Sequence, residues 1–233
     1  MGPCARCARP ACEACARPIP GGLLCPACAA TPVPWEERRR LGTARAFALT
    51  LQPSLLAPER FFRRLDAPGR IAPALGYAFL AHLAGFSTLA LLAAAAPMGG
   101  LVVGLGDRIT GAIQMLAILA VLLVGFDLLL ALLVHAVLRL LDAGKAGVGA
   151  TVRAVCYGQG PAVLWATIVL PSLFVPQVWS ALCTIHAVKQ AQRTRPGVAA
   201  TAVLVPTLAS VMGLLVLAQR YAPALLAAAK LRG

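Results

Sequence analysis

Three Cys-x-x-Cys pairs, Cys4/Cys7, Cys12/Cys15 and Cys25/Cys28, lie within the first thirty residues. Each pair at this spacing closes a tight chelate, and two pairs together supply the four thiolates that zinc takes tetrahedrally. The spacing does not fit an iron–sulfur ferredoxin. A thioredoxin-type site wants a strand–helix context, which is missing here; a reversible Cys12/Cys15 disulfide remains a third reading. In cross-braced modules alternate pairs share a metal, which joins Cys4 and Cys7 to Cys25 and Cys28. Cys12 and Cys15 are then left as ligands of a second or alternative site. The plainer alternative is a cysteine-rich tail without a fixed fold. Cys156 and Cys183 fall in apolar runs and read as small apolar fillers.

A second group of chemistry-bearing residues is set in apolar sequence. Asp127 stands in the run Val124-Gly125-Phe126-Asp127-Leu128-Leu129. A carboxylate at mid-depth in a bilayer costs about 2.5–3.5 kcal/mol on insertion scales, so it is paired or faces a cavity. His82 in the preceding apolar run is the preferred partner. His135 lies on nearly the same helix face but about 12 Å along the axis, too far for contact, and Arg139 is one turn further. Tyr157, Gln159, Thr184, His186 and Lys189 follow in later runs. Together these residues read either as a polar interior, serving a proton, a solute or a lipid headgroup, or as hydrogen-bonding glue worth about 0.6 kcal/mol per contact. No Gly-x-Ser-x-Gly, His-Glu-x-x-His or phosphate loop is present, and the chain has only 8 acidic residues. A catalytic constellation is hard to assemble, and a non-enzymatic protein is expected.

The elements that must position these groups are membrane helices. The chain is 60% hydrophobic and 12% charged, where a soluble domain is nearer half apolar and a quarter charged. The formal charge of +13 would suit nucleic acid, but its distribution does not. Eleven of the 21 lysines and arginines precede Ile71, and most others edge the apolar runs, the pattern of membrane topology and attraction to anionic lipid. No apolar stretch that reads as a signal peptide precedes residue 40.

The expected fold is all-α: a polytopic membrane protein with five transmembrane helices and a small N-terminal zinc-ribbon-like module. Residues 1–30 form the module, 31–70 a charged linker and an interfacial amphipathic helix, 71–220 the five-span domain and 221–233 a tail. The spans are read at about 73–96, 110–141, 152–170, 174–191 and 198–219. The second, about 45 Å long, exceeds the hydrocarbon thickness and must tilt or project. Pro171 and Pro176 bracket a short turn that makes the third and fourth spans antiparallel neighbours, and Pro206 marks a kink in the fifth. In the segment 58–65, Phe61, Phe62 and Leu65 share one helical face, with Arg60, Arg63 and Arg64 around it. Such a helix lies in the membrane interface with its rings in the lipid, or else packs on the spans. Lysines and arginines crowd the N-terminal region and the loops after the second and fourth spans. The positive-inside rule then puts the N-terminus in the cytosol and the C-terminus outside, although Arg220, Lys230 and Arg232 dissent. A cytosolic N-terminus keeps the thiols reduced and favours metal over disulfides.

Two resemblances rest on particular residues. The order of the cysteine pairs resembles the B-box-like zinc ribbons that begin many bacterial membrane proteins. Those open with a Cys–His pair that this sequence lacks, so that either a second site is lost or the start is placed too late. The sequence His135-Ala-Val-Leu-Arg139-Leu-Leu-Asp142, then Thr151-Val-Arg153 through Tyr157-Gly-Gln-Gly-Pro161, Val178-Trp179, Ile185-His186 through Lys189, and Arg193 onward into Pro206 is similar to the bacterial form of the Yip family, the Ypt/Rab-interacting multi-pass membrane proteins. The tyrosine-then-proline signature falls on Tyr157 and Pro161, and the segment 58–62 resembles the family's pre-membrane helix ending in paired aromatics. The acidic segment that precedes the first span in eukaryotic members has no counterpart here. The resemblance spans about residues 50–220. It implies five spans, a cytosolic N-terminus and a role in membrane organisation or protein recruitment.

The functional expectation is an inner-membrane scaffold or adaptor that binds Zn2+ in its cytosolic module and recruits a protein partner there. Lipid is its solvent and nucleic acid is not a partner. The glycine spacings at Gly104/Gly106 and Gly158/Gly160 permit close approach and hence a homo-oligomer. The alternative is a transporter or lipid-handling protein that uses the interior around Asp127 and His135.

Overall fold

The computed structural model describes residues 2–4, 8, 10–12, 16–19, 22–25, 33–65, 70–95, 104–167 and 175–230. The N-terminal module contains four strands of two or three residues, too short to show alternation in sequence. β1 (Gly2–Pro3) pairs antiparallel with β2 (Pro10–Ala11), and β3 (Arg17–Ile19) with β4 (Gly22–Leu24). A parallel bridge from Cys4 to Leu23 ties the two hairpins together.

A 3-10 helix at Pro34–Glu37 follows, then α1 (Arg38–Leu41), α2 (Thr43–Leu56) and α3 (Pro58–Phe62). This segment is no loose linker. Val33, Trp35, Ala46, Phe61, Phe62 and Leu65 are buried in the same core as the long helices. The end of the bundle that carries it is called proximal below.

The long helices are α4 (Ile71–Ala95), α5 (Leu105–Leu140) and α8 (Pro196–Lys230). Among the described residues, three helices are long and apolar enough to cross a membrane: Ile71–Ala95, Gly106–Leu140 and Pro196–Tyr221. Their patterning is inside-out. On α5 the buried face runs Ala120, Asp127, Leu130, Ala131, Val134 and Leu138, a mix of small, polar and apolar residues, while Leu122, Leu129, Leu132 and Leu140 face outward. An outward apolar belt of this kind needs lipid as its solvent. The helix α8 runs unbroken through Pro206, where the sequence suggested a kink, and carries the expected tail onward to Lys230.

The third and fourth apolar runs depart from simple spans. The third is α6 (Val148–Gly158), then a second 3-10 helix (Gly160–Ala166) with a proline in its first turn. Pro161 lacks the N–H that would continue the α-helix. The fourth is α7 (Val175–Gln192), which buries Ser180, Thr184 and Gln192. Neither is continuous and apolar enough to read as a span by composition. The reason is packing: every residue of α6 from Ala150 to Gly158 is buried, so protein, not lipid, sets its composition. Gly158 permits a close approach of α6 to α7, since a Cβ there would run into the side chain and backbone of Thr184.

Candidate functional site

The proximal end is closed by a clamp that begins at Trp35. Its backbone N–H donates to Thr50 Oγ1 at 2.9 Å, and its indole N–H donates to the Pro73 carbonyl at 2.5 Å. Pro34 at the start of the 3-10 helix fixes the turn that presents the next residue, Glu36. Glu36 Oε1 accepts from Arg153 Nη2 at 2.6 Å and from the Tyr157 hydroxyl at 3.2 Å. Arg153 is 3% exposed, so its charge is neutralised inside the protein, as a buried guanidinium requires. Trp35, Phe47, Tyr77 and Tyr157 form a run of ring contacts 5.3–6.2 Å apart around this pair. Sequence reasoning missed Glu36 and Trp35 and gave Arg153 no counter-ion. The available signal was an arginine at the head of an apolar run, which needs a counter-ion.

Gln192 is a third residue the sequence did not single out. Its Oε1 accepts from the Ala146 N–H, and its Nε2 donates to the Gly147 carbonyl and to Thr151 Oγ1, each at 2.9 Å. Thr151 Oγ1 also lies 3.0 Å from His135 Nδ1. His135 therefore belongs to a staple that holds the α5–α6 turn, not to the surroundings of Asp127.

Deeper in the bundle, His82 Nε2 lies 2.8 Å from Asp127 Oδ2, joining α4 to α5. This is the pairing preferred from the sequence. Both side chains line a cavity of about 360 Å³ bounded by α4, α5, the second 3-10 helix, α7 and α8. Gln159, Ser180 and Thr184 line it too, each at least nine-tenths buried. The second ring nitrogen of His82, Nδ1, is buried with no hydrogen-bond partner. Hydroxyls on several helices bond back to the preceding turn, as Thr50 does to Ala46, Ser87 to Ala84 and Thr207, which also lines the cavity, to Val203. The cavity's outer wall includes Leu122, Phe126 and Val211, which are also exposed on the lipid-facing surface. The cavity thus opens sideways into the apolar belt.

The interfacial residues divide. Phe61 and Phe62 are 2% and 0% exposed and stack edge-to-face at 5.0 Å. Their rings pack on protein, with α3 against α7, which corrects the expectation that they lie in lipid. A five-residue helix with one apolar face gives no sequence signal that separates the two. Arg63 and Arg64 are exposed, with Arg63 3.7 Å from Glu59.

In the module, Cys4 and Cys25 are buried side by side, and the Cys25 N–H donates to Cys4 Sγ at 3.2 Å. An N–H aimed at sulfur favours a thiolate. Ala8 takes a left-handed φ of 58° and donates its N–H to the Cys4 carbonyl at 2.8 Å. Cys12 is exposed, and the Ala16 N–H closes a similar turn onto its carbonyl at 2.7 Å. Cys7, Cys15 and Cys28 lie outside the described residues, among which no three metal-ligating side chains converge. Two of the four thiols expected to share a metal, Cys4 and Cys25, thus lie together in the module.

A family model for the Yip1 domain matches residues 54–218. No curated protein and no solved structure matches the chain. The matched stretch begins near the end of α2 and runs most of the way along α8. It takes in all the long helices, the His82–Asp127 cavity and Arg153, and leaves out Glu36 and the cysteine module. With its membrane helices and most of its length inside that match, the chain belongs to the Yip1 domain family.

Proposed function

We propose that this Yip1-domain protein is a non-enzymatic scaffold of the bacterial inner membrane whose N-terminal module binds zinc and recruits a cytosolic protein. The observation that carries this reading is the clamp. Residues 33–65 lead from the module into the spans, and Trp35 and Glu36 fasten that lead to the bundle through Pro73, Arg153 and Tyr157. A fastened lead starts the module at a fixed point on the bundle, which suits presentation to a partner. Cys4 and Cys25 would hold the ion with Cys7 and Cys28. Cys12 and Cys15 would serve a second or alternative site. Bound zinc would supply folding energy to hairpins too small to be stable alone.

Five passes are part of the same proposal. The α6 helix with its 3-10 extension spans about 30 Å, and α7 about 27 Å, at their ordinary rises per residue. Both match the hydrocarbon thickness. Loop charges favour a cytosolic N-terminus and an external C-terminus.

The test is affinity capture from membranes with the full chain and with residues 1–30 deleted, with zinc measured on both. The expected result is about one zinc per full-length chain, lost with Cys25→Ser, and partners that co-purify only with the full chain. Unchanged partners after deletion would overturn the recruitment role. Zinc-free full-length protein with permanently reduced thiols would overturn the metal site.

A further inference from the structure

The His82–Asp127 cavity carries more hydrogen-bonding capacity than the fold uses. His82 Nδ1 is buried without a partner, and Asp127, Gln159, Ser180 and Thr184, each at least nine-tenths buried, add polar side chains to the same wall. Leaving a buried polar group unpaired costs about 1–3 kcal/mol. The remaining wall is apolar and includes Phe86, Leu122, Phe126, Trp165 and Val211. A pocket of this size with a few convergent polar groups is the usual form of a small-ligand site.

We propose that the cavity binds an amphiphile whose head donates hydrogen bonds to Asp127 and whose chain leaves sideways past Leu122, Phe126 and Val211. Charge selects the head. Asp127 is the acid among the lining residues, and no lysine or arginine lines the cavity. A phosphate head would meet a carboxylate whose basic neighbour among the lining residues, His82, is already engaged with it. A hydroxylated or amine head instead gives Asp127 a donor, and gives the Gln159 amide and the two hydroxyls partners of either kind. The lateral opening makes the bilayer itself the source of the ligand. This site does not depend on the scaffold role or on the zinc module.

The experiment uses full-length protein in phosphatidylcholine nanodiscs and three probes with a diazirine in the alkyl chain: a monoacylglycerol, an alkylamine and an alkyl phosphate. Cross-linked peptides are mapped by mass spectrometry. Peptides carrying Phe86, Phe126 and Val211 are expected to take up the glycerol probe, the amine probe or both about tenfold more than the phosphate probe, the ratio that one charge-assisted hydrogen bond provides. Preference between the first two identifies the head as hydroxyl or amine. Ala181→Phe, which fills the cavity from α7, should reduce this labelling about tenfold and leave labelling near the outward Leu132 unchanged. If that variant unfolds, Thr184→Val, which removes a hydroxyl at nearly constant volume, should lower cavity labelling about fivefold. Equal labelling by all three probes overturns the proposal. So does labelling confined to the outer belt, or cavity labelling that neither variant reduces.

Discussion

Among the described residues of the bundle, two acid–base pairs are finished to different degrees. At the proximal end, Glu36 takes both Arg153 and Tyr157 on one oxygen, inside a cage of rings anchored by Trp35. Deeper, Asp127 gives one oxygen to His82 and turns the other toward a cavity. The first pair is spent on architecture, since its hydrogen bonds join segments more than a hundred residues apart. The second holds two neighbouring helices and still has capacity for something else. Burial alone therefore does not mark a functional site in this protein. What the polar atoms have left over does.

The largest expected effect tests the closed pair. Arg153→Met leaves Glu36 without its counter-ion and should destabilise the bundle by about 3–5 kcal/mol, as breaking one side of a buried pair does. Thermal unfolding in detergent measures it. Adding Glu36→Gln should restore part of the loss, because the stranded carboxylate is removed as well. If Arg153→Met costs less than a substitution at Asp127, the contrast between the two pairs is wrong.

Next in size is a substitution at their boundary. Gly158 follows Tyr157 of the clamp and precedes Gln159 of the cavity. A Cβ there would lie 3.0 Å from Thr184 Cα, so backbone must shift as well as a side chain. Gly158→Ala should cost about 1–3 kcal/mol, the range for overpacking. It should also displace Thr184 and so weaken probe uptake in the cavity. Loss of stability with cavity labelling intact would show that the two regions are mechanically separate.

These contrasts were unevenly legible in the sequence. Asp127 was readable because a carboxylate among leucines has to be answered, and His82 was a suitable residue in the neighbouring apolar run. Glu36 was not, since its partner lies 117 residues away and the stretch Trp35-Glu36-Glu37-Arg38 reads as a solvated linker. The long helices α4, α5 and α8 were legible because lipid on one side enforces apolar composition. The broken third run was not, because α6 is surrounded by protein and its hydropathy carries no imprint of lipid. Pro161, preceded by Gly158 and Gly160, was the sign of the break. The burial of Phe61 and Phe62 was open in the sequence, since an apolar helix face is the same whether lipid or protein covers it.

A smaller effect is expected at the open pair. Asp127→Asn keeps an acceptor for His82 and removes the cost of a charge at depth, so the two consequences oppose each other. Stability should change by about 1 kcal/mol or less, in line with the modest worth of polar contacts between membrane helices. The same variant should discriminate less between amine and phosphate probes. A stability loss as large as that of Arg153→Met would make Asp127 architectural and leave the cavity without a special role.

The smallest effect belongs to charges with no buried partner at all. Arg63 and Arg64 project from the helix whose rings are consumed by the core. The double change Arg63→Ser, Arg64→Ser should therefore leave unfolding within about 0.5 kcal/mol of wild type, the ordinary range for surface positions. Their remaining use is outward. If they lie against lipid phosphate, each contributes about 1 kcal/mol of attraction to an anionic surface, and preference for anionic over zwitterionic lipid in mixed nanodiscs should fall when both are removed. A stable variant with unchanged lipid preference would confine the segment to packing through its rings. A variant that loses preference without losing stability would show the two faces of one short helix divided between protein and membrane.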